Sequence, residues 1–378
     1  MPREIYLDNN ATTRVFPEVR ERMDECWETA FANPGSQHSF GRRARQILED
    51  ARESMAEILN ADASEVIFTS GGAESINMAV HGFTCGRRGA IALTAGEHPA
   101  TTAAVERCRQ SGFDVLTLDV DSEGRLIEEQ FASLPWDQLK LVTVILAHNE
   151  TGVIQNIDAL AKLCTEHRVP LLLDAVQAVG KIPVDFAALN VTALAFGAHK
   201  FHGPRGIGGL LLRRGARLVP LLEGGHQENG RRAGTEPVPL IAGMARALEV
   251  WSADKEKRIE KLTAMRDSLQ QALETHCAPT VVHAKSAVRL PNTLSIAFPG
   301  VEGESLLVNL HLAGIACSLG STCASGSAEA APALLAMQIP AEICHSTVRL
   351  SVGILNSLDE IESAAEQVAE IVARLRDT

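Results

Sequence analysis

The chain has 378 residues, 46% hydrophobic and 22% charged, the balance of an ordinary folded soluble protein rather than a disordered one. Its 47 acidic residues outnumber its 35 Lys and Arg, a formal charge of −12, and with no long basic run this surface disfavours nucleic acid and anionic membranes as partners. At this length two domains are expected, since single cores usually serve roughly 100–200 residues.

The amino terminus MPREIYLDNN carries charges where a secretory signal needs an apolar core. No apolar run approaches the roughly 18 residues of a membrane span, so a cytoplasmic protein is expected. EIYLDNNATT reads as a short extended arm with a polar turn. Pro17 then opens a helix whose Val19, Met23, Cys26 and Ala30 share a face. Turn chemistry in FANPGSQHSFG separates it from a strongly periodic helix carrying Ala44, Ile47, Leu48, Ala51, Met55, Ile58 and Leu59.

Strand and helix then alternate: EVIFTS into GGAESINMAVHGF, AIALTAGEH into PATTAAVERCRQSG, then FDVLTLD, and LVTVILAHNE into NIDALAKLCTEH. VPLLLDA and TALAFGA follow as two runs apolar enough for strands buried on both faces. This alternation predicts an α/β domain over residues 14–250, a mainly parallel sheet wrapped by helices. Pro237 to His276 reads as helical, with the charged middle SADKEKRIEK as a solvated span between two cores. Beyond it the short strands TLSIAF, GIAC and TVRLSVG alternate with helices. The last helix is opened by a capping box of Ser357 and Glu360. Residues 251–378, with the arm 1–13, are expected to form a smaller α+β domain.

Open α/β sheets bind ligands beyond the carboxyl ends of their strands, so Asp174, ending VPLLLDA, and Lys200, just past TALAFGA, are expected at one crevice. Pyridoxal phosphate requires both groups: its aldehyde condenses with an amine, and its ring nitrogen stays protonated beside an anion. A salt bridge at the sheet edge is the plain alternative. The turn TSGGAES leaves free N–H groups at a helix start, where Gly71 and Gly72 let a phosphate approach. His98 and Asn149 follow strands that end at the same crevice, and His98 is placed to stack on a ring or move protons.

The eight cysteines, Cys26, Cys85, Cys108, Cys164, Cys277, Cys317, Cys323 and Cys344, form neither a CxxC pair nor a zinc-spaced group, so no disulfide framework and no metal site are expected. Cys323 lies in CSLGSTCASGS, whose small residues imply a mobile loop that could carry a nucleophilic thiol. Cys317 instead completes GIAC and reads as buried.

LDNNATT, NPGSQHSFG, FTSGGAES, GEHPA, HNETGVIQ, LLLDAVQAVGKIPVD, GAHKFHGPRGIG, RRAGTEPVP, PNTLSIAFPGVEGESLL, LGSTCASGSAE and HSTVRLSVG resemble, in this order, the cysteine desulfurases of the NifS and IscS type. These are fold-type I pyridoxal phosphate enzymes of the class V aminotransferase group, and the resemblance spans nearly the whole chain. It implies Lys200 as the lysine joined to the cofactor, Asp174 at the ring nitrogen, and His98 stacked on the ring as acid and base. Asn149 and Gln177 would meet the ring's oxygen side. Gly71, Gly72, Ala73 and His199 would hold the phosphate, with Thr235 arriving from the second subunit of a homodimer. Arg349 would bind the carboxylate of L-cysteine, beside Asn149, and Cys323 would take its sulfur and pass it to an acceptor protein.

Three details depart from the family pattern. Ala73 and Gly197 stand where Thr and Ser are usual, which predicts looser cofactor binding. Leu319 stands where the family's loop has Ser. The chain also ends at LRDT, without the longer tail that some relatives use with scaffold proteins. A selenocysteine lyase or another class V lyase or aminotransferase is the neighbouring reading, and a non-catalytic sulfur-carrier scaffold the more distant one.

Overall fold

The computed structural model describes residues 4–319 and 331–377. In chain order its strands are β1 (Ile5–Tyr6), β2 (Val66–Thr69), β3 (Ala90–Thr94), β4 (Asp114–Leu118), β5 (Leu139–Ile145), β6 (Leu171–Asp174), β7 (Ala193–Gly197), β8 (Gly208–Leu212), β9 (Val281–Val282), β10 (Thr293–Ala297), β11 (Ile315–Ala316), β12 (Ser318–Leu319) and β13 (Thr347–Ser351). Among the described residues, one seven-stranded sheet has the order β2-β8-β7-β6-β5-β3-β4. From β7 across to β4 every pairing is parallel. The exception is β8, antiparallel to both β7 and β2. Residues 198–207 are too few for a helical crossover, so the chain has to return alongside β7 in the opposite sense.

The central strands are buried because helices cover both faces. Alternation divides their side chains: Leu172, Ala193 and Ala195 pack with Ile76 and Phe83 of the helix Gly72–Thr84. Leu171, Leu173, Leu194 and Phe196 pack on the other side with Leu48 and Met55 of the helix Ser39–Ile58. Each such Leu contributes roughly 1.5–3 kcal/mol by leaving water, which fixes the strand ends against one another.

The expected helical span from Pro237 to His276 is two helices, Val238–Ala253 and Lys255–His276, divided at Asp254. The first buries Ile241, Met244 and Leu248 in the core of the large sheet. The second turns Met265, Leu269 and Leu273 to a separate core with Leu294, Ile296, Val348 and Leu350. Ile5 and Leu7 of the amino-terminal arm belong to that second core, and β1 lies parallel to β11. The last helix, Leu358–Arg376, has the expected capping box: Glu360 N–H donates to Ser357 Oγ and Ser357 N–H to Glu360 Oε2, both at 3.2 Å.

The strand expected in GIAC is β11, which pairs with β1 and stops at Ala316; just past Cys317 a separate strand, β12, turns antiparallel to β13. At this joint between two sheets Cys317 is half-buried, and burial pushes its thiol up to about 12.

Candidate active site

Asp174 is the last residue of β6, level with Ile145 at the end of β5 and Ala195 of β7. Lys200 follows β7 by a single tight helical turn, Ala198–Lys200. Acid and amine therefore reach the same edge of adjacent parallel strands. There a cavity of about 390 Å³ is lined by Asn10, Gly72, Ala73, His98, Asn149, Asp174, Gln177, His199, Lys200 and Arg349, among others.

Ten of the expected site residues can be placed at or beside this cavity. Gly71 adjoins it as the residue before the helix Gly72–Thr84, with φ +153°, which a side chain would strain. That helix starts without a side-chain cap, so its first N–H groups, at Gly72 and Ala73, open onto the cavity. Thr235 is exposed and does not line the cavity in the single chain. Cys323 lies outside the described residues. The glycines of HGPRGIGG have a packing role: a Cβ at Gly208 would meet Phe196 O at 2.5 Å and Gly71 Cα at 2.6 Å, so β8 clears room for the Gly71 turn.

The charges are tuned by burial. Asp174 is buried with its Oδ1 accepting the Val176 N–H at 3.0 Å, and desolvation pushes its acid up to about 6 against the pull of that bond and of Lys200. Lys200 Nζ donates to the Asn10 and Ala11 carbonyls at 2.7 and 2.8 Å. Burial, then the Arg349 charge, bring its amine down to about 8, with Asp174 and Asp8 opposing. His98 Nδ1 accepts the Ala100 N–H at 3.1 Å, capping its own helix, so the imidazole proton belongs on Nε2. Desolvation and then Lys200 hold this histidine below its usual range. His199, bonded through Nδ1 to Thr12 Oγ1 at 3.2 Å, is brought down to about 4, mainly by burial.

Arg349 comes from β13, in the other core. Its Nη2 donates to Asp8 Oδ1 at 2.8 Å and its Nη1 to Asn149 O at 3.1 Å, while its buried Nε has no hydrogen-bond partner among the described residues. A guanidinium with a donor to spare at a cavity wall suits a carboxylate.

Four contributors escaped the sequence reading: Asp8, Asn10, Glu97 and Lys181. Asn10 sits in the quoted LDNNATT, but its partners are distant in the chain, Thr293 Oγ1 at 2.8 Å among them. Lys181 carried a readable hint, its spacing of four from Gln177 in a helical turn.

Glu97 is buried behind Asp174, its Oε1 accepting the Ile145 N–H at 2.5 Å. Burial first and Asp174 second push its acid from 4.5 up to about 8. The folded chain therefore holds a proton that the unfolded chain releases across this interval, and stability falls as pH rises through it. Glu97→Gln keeps the oxygen that Ile145 needs and cannot ionise. Unfolding at pH 5 and pH 8 should show the variant gaining on the wild type by a few kcal/mol (~3) towards pH 8. An equal difference at both pH values would contradict this account of Glu97.

Strand order and the place of the cleft define the class first: this is the plan of the fold-type I pyridoxal phosphate enzymes. The chain belongs to the class-V aminotransferase family, whose model matches residues 5–363. It is 38% identical over 379 residues to cysteine desulfurase IscS of Dictyoglomus turgidum, covering 100% of this chain and 96% of that one. Cysteine desulfurase NifS of Azotobacter vinelandii is 41% identical over 377 residues, covering 99% and 94%. Among solved structures, a NifS-like protein superposes with a TM-score of 0.92 at 33% identity, covering 99% of this chain and 100% of that one. Another, from Rickettsia africae, gives 0.88 at 28% identity, covering 98% and 99%.

Proposed function

We propose that the chain is a cysteine desulfurase, which moves the sulfur of L-cysteine onto its own Cys323 and releases L-alanine. The observation that carries this reading is the meeting of Lys200 and Asp174, from adjacent strands, with Arg349 of the other core at one cavity. The residues present suit pyridoxal phosphate. Asp174 is a buried acid without an ion-pair partner among the described residues, and the uncapped helix start at Gly72 offers N–H groups to a phosphate. Lys200 offers an amine, and the cavity lies in the size range of small-ligand sites.

When bound, the cofactor supplies an aldehyde for an amine and a protonated ring that withdraws electrons from the neighbouring carbon. Asp174 holds the anion that keeps such a ring protonated. Lys200, brought to about 8, is uncharged often enough near neutral pH to attack a carbonyl and afterwards to take a proton from carbon. His98, with its proton on Nε2, can give a proton at the open side of the cavity. Asn149 and Gln177 would meet the oxygen side of the cofactor's ring, and His199 would help hold its phosphate. Arg349 grips the substrate carboxylate and orients the substrate. The Cys323 thiolate attacks the substrate sulfur: an S–S bond forms, the C–S bond breaks, and the carbon left behind is protonated to become the methyl group of alanine.

Two domains, residues 14–250 and residues 1–13 with 251–378, divide this work in the reading. A homodimer is part of it, because Thr235 can contribute only from a second subunit, and the exposed aromatics Trp27, Phe31 and Phe40 offer apolar surface for one. The physiological recipient is a sulfur-acceptor protein, in the assembly of iron–sulfur clusters or thio-cofactors, and the site of action the cytoplasm. No helix among the described residues is long and apolar enough to cross a membrane.

The purified chain, given pyridoxal phosphate and cysteine, should form alanine together with a persulfide mapped to Cys323 by mass spectrometry. Alanine without persulfide at Cys323 would favour another class V lyase, and neither product would end the proposal.

The two missing hydroxyls bear on affinity. A Cβ at Gly197 would stand 3.4 Å from Gly72 N and 3.7 Å from the His199 ring, an ordinary contact. Gly197→Ser with Ala73→Thr should tighten cofactor binding by about 1 kcal/mol each, roughly 30-fold together, measured by equilibrium dialysis. Unchanged affinity would mean that water already supplies those donors.

A further inference from the structure

A second lysine lies beneath the cleft floor and takes no part in the chemistry above. Lys181 is buried, 5% exposed, in the turn that follows β6. Its acceptors are two amide oxygens, Asn10 Oδ1 at 2.7 Å and Gln177 Oε1, and no carboxylate pairs with it among the described residues. A buried ammonium with only neutral acceptors is costly. An ammonium also has three N–H bonds to place, whereas an uncharged amine has two, one for each oxygen present.

We propose that Lys181 is a positioning residue that works uncharged, using its two N–H bonds to turn the amides of Asn10 and Gln177 and so to fix the hydrogen bonds that hold Lys200 and Arg349. The inference rests on the cofactor reading of the cavity, although the state of the amine can be tested without it.

Each amide has one oxygen, so committing it to Lys181 sends the nitrogen the other way. Gln177 Nε2 then donates to Asn10 O at 2.9 Å, the carbonyl that also takes Lys200 Nζ. Asn10 Nδ2 donates to Thr293 Oγ1 and, at 3.1 Å, to Asn149 O, which in turn takes Arg349 Nη1. Asn292 Nδ2 adds a second bond to Asn10 Oδ1 at 3.0 Å. One donor at position 181 thus sets the direction of a chain of bonds that ends on both cations of the cavity.

Its surroundings agree. Burial, then the charges of Lys200 and Arg349, hold the Lys181 amine well below the ordinary lysine range. His199 and His202 face it and are themselves held down, in part, by its charge when it is protonated. A charged Lys181 would place a third cation beside Lys200 and Arg349, where the one ion pair among the described residues is Arg349 with Asp8.

Nitrogen NMR on the full-length protein with 15N-labelled lysine reads the amine directly. The Lys181 Nζ resonance, assigned by its loss in K181M, is expected at the uncharged position at pH 7; an ammonium resonance would overturn the proposal. The second readout is cofactor binding, with the pH midpoint of the absorbance near about 420 nm. K181M removes the donors but no charge, so binding should weaken about tenfold with the midpoint unmoved. K181R adds a permanent charge and should lower the midpoint by about one unit. A midpoint raised in K181M and unmoved in K181R would mean a charged lysine, and midpoints unmoved in both would mean a merely structural one; either result overturns the proposal. If K181M does not fold, the wild-type resonance, assigned through K181R, decides alone. Failure of the wild type to bind the cofactor would instead overturn the functional reading, leaving the resonance test of Lys181 intact.

Discussion

Lys200→Ala is expected to cut alanine formation from cysteine by at least about 10³-fold and to abolish the absorbance near about 420 nm. The amine has two duties, attachment of the cofactor and proton removal, and among the described residues no other lysine lines the cavity to replace it. The fold should survive the change. Lys200 gives up bonds to the Asn10 and Ala11 carbonyls, but it is also an amine brought from 10.5 down to about 8. For a base lowered in this way, the folded chain binds fewer protons than the unfolded chain. The cost is complete below about pH 8 and is relieved as pH rises towards the unfolded value. Removal of the amine should therefore leave melting at pH 7 no lower than in the wild type. Activity should return in part when ethylamine is added, since a small amine can occupy the space left by the side chain. Loss of activity together with loss of fold would assign Lys200 a structural duty instead.

Asp174→Asn comes second, with an expected loss on the order of 10²-fold or more in alanine formation. The amide keeps an oxygen for the Val176 N–H, so geometry is preserved while the anion is lost. Stability should move the opposite way. Burial raises this acid from 3.8 to about 6, so in the wild type the ionised carboxylate costs roughly 3 kcal/mol at neutral pH. That cost develops as pH rises through the interval and is absent below it. The variant should thus melt higher than the wild type at pH 8 and lose the advantage near pH 4, as differential scanning calorimetry of the cofactor-free proteins would record. An anion kept at a stability cost is one kept for chemistry; a variant less stable at pH 8 would point to a structural carboxylate.

Much of the site was legible because its residues stand in short runs tied to strand ends. An apolar run that stops at Asp174, another that leads to Lys200, and a glycine turn before an amphipathic helix each announce their edge of the sheet locally. What escaped has a common cause. Nothing in GIAC says that its strand, β11, pairs with β1, or that a second strand, β12, starts just past it and crosses to β13. The span from Pro237 read as helical between two cores, but the break at Asp254, where one helix leaves the first core and the next joins the second, shows only in the packing.

The sequence alone determined the order of strands and helices, the strand-end positions of Asp174, Lys200, His98 and Asn149, and the kinds of groups available, since these follow from local periodicity and turn chemistry. Only the tertiary structure decided that Arg349 reaches across from the other core and that Asn10 ties Lys181 to Lys200. It also decided that Glu97 holds its proton to about 8 while Lys200 yields its own near the same pH. Those outcomes depend on burial and on contacts between residues hundreds of positions apart, and desolvation is a property of the packed surroundings, not of the residue.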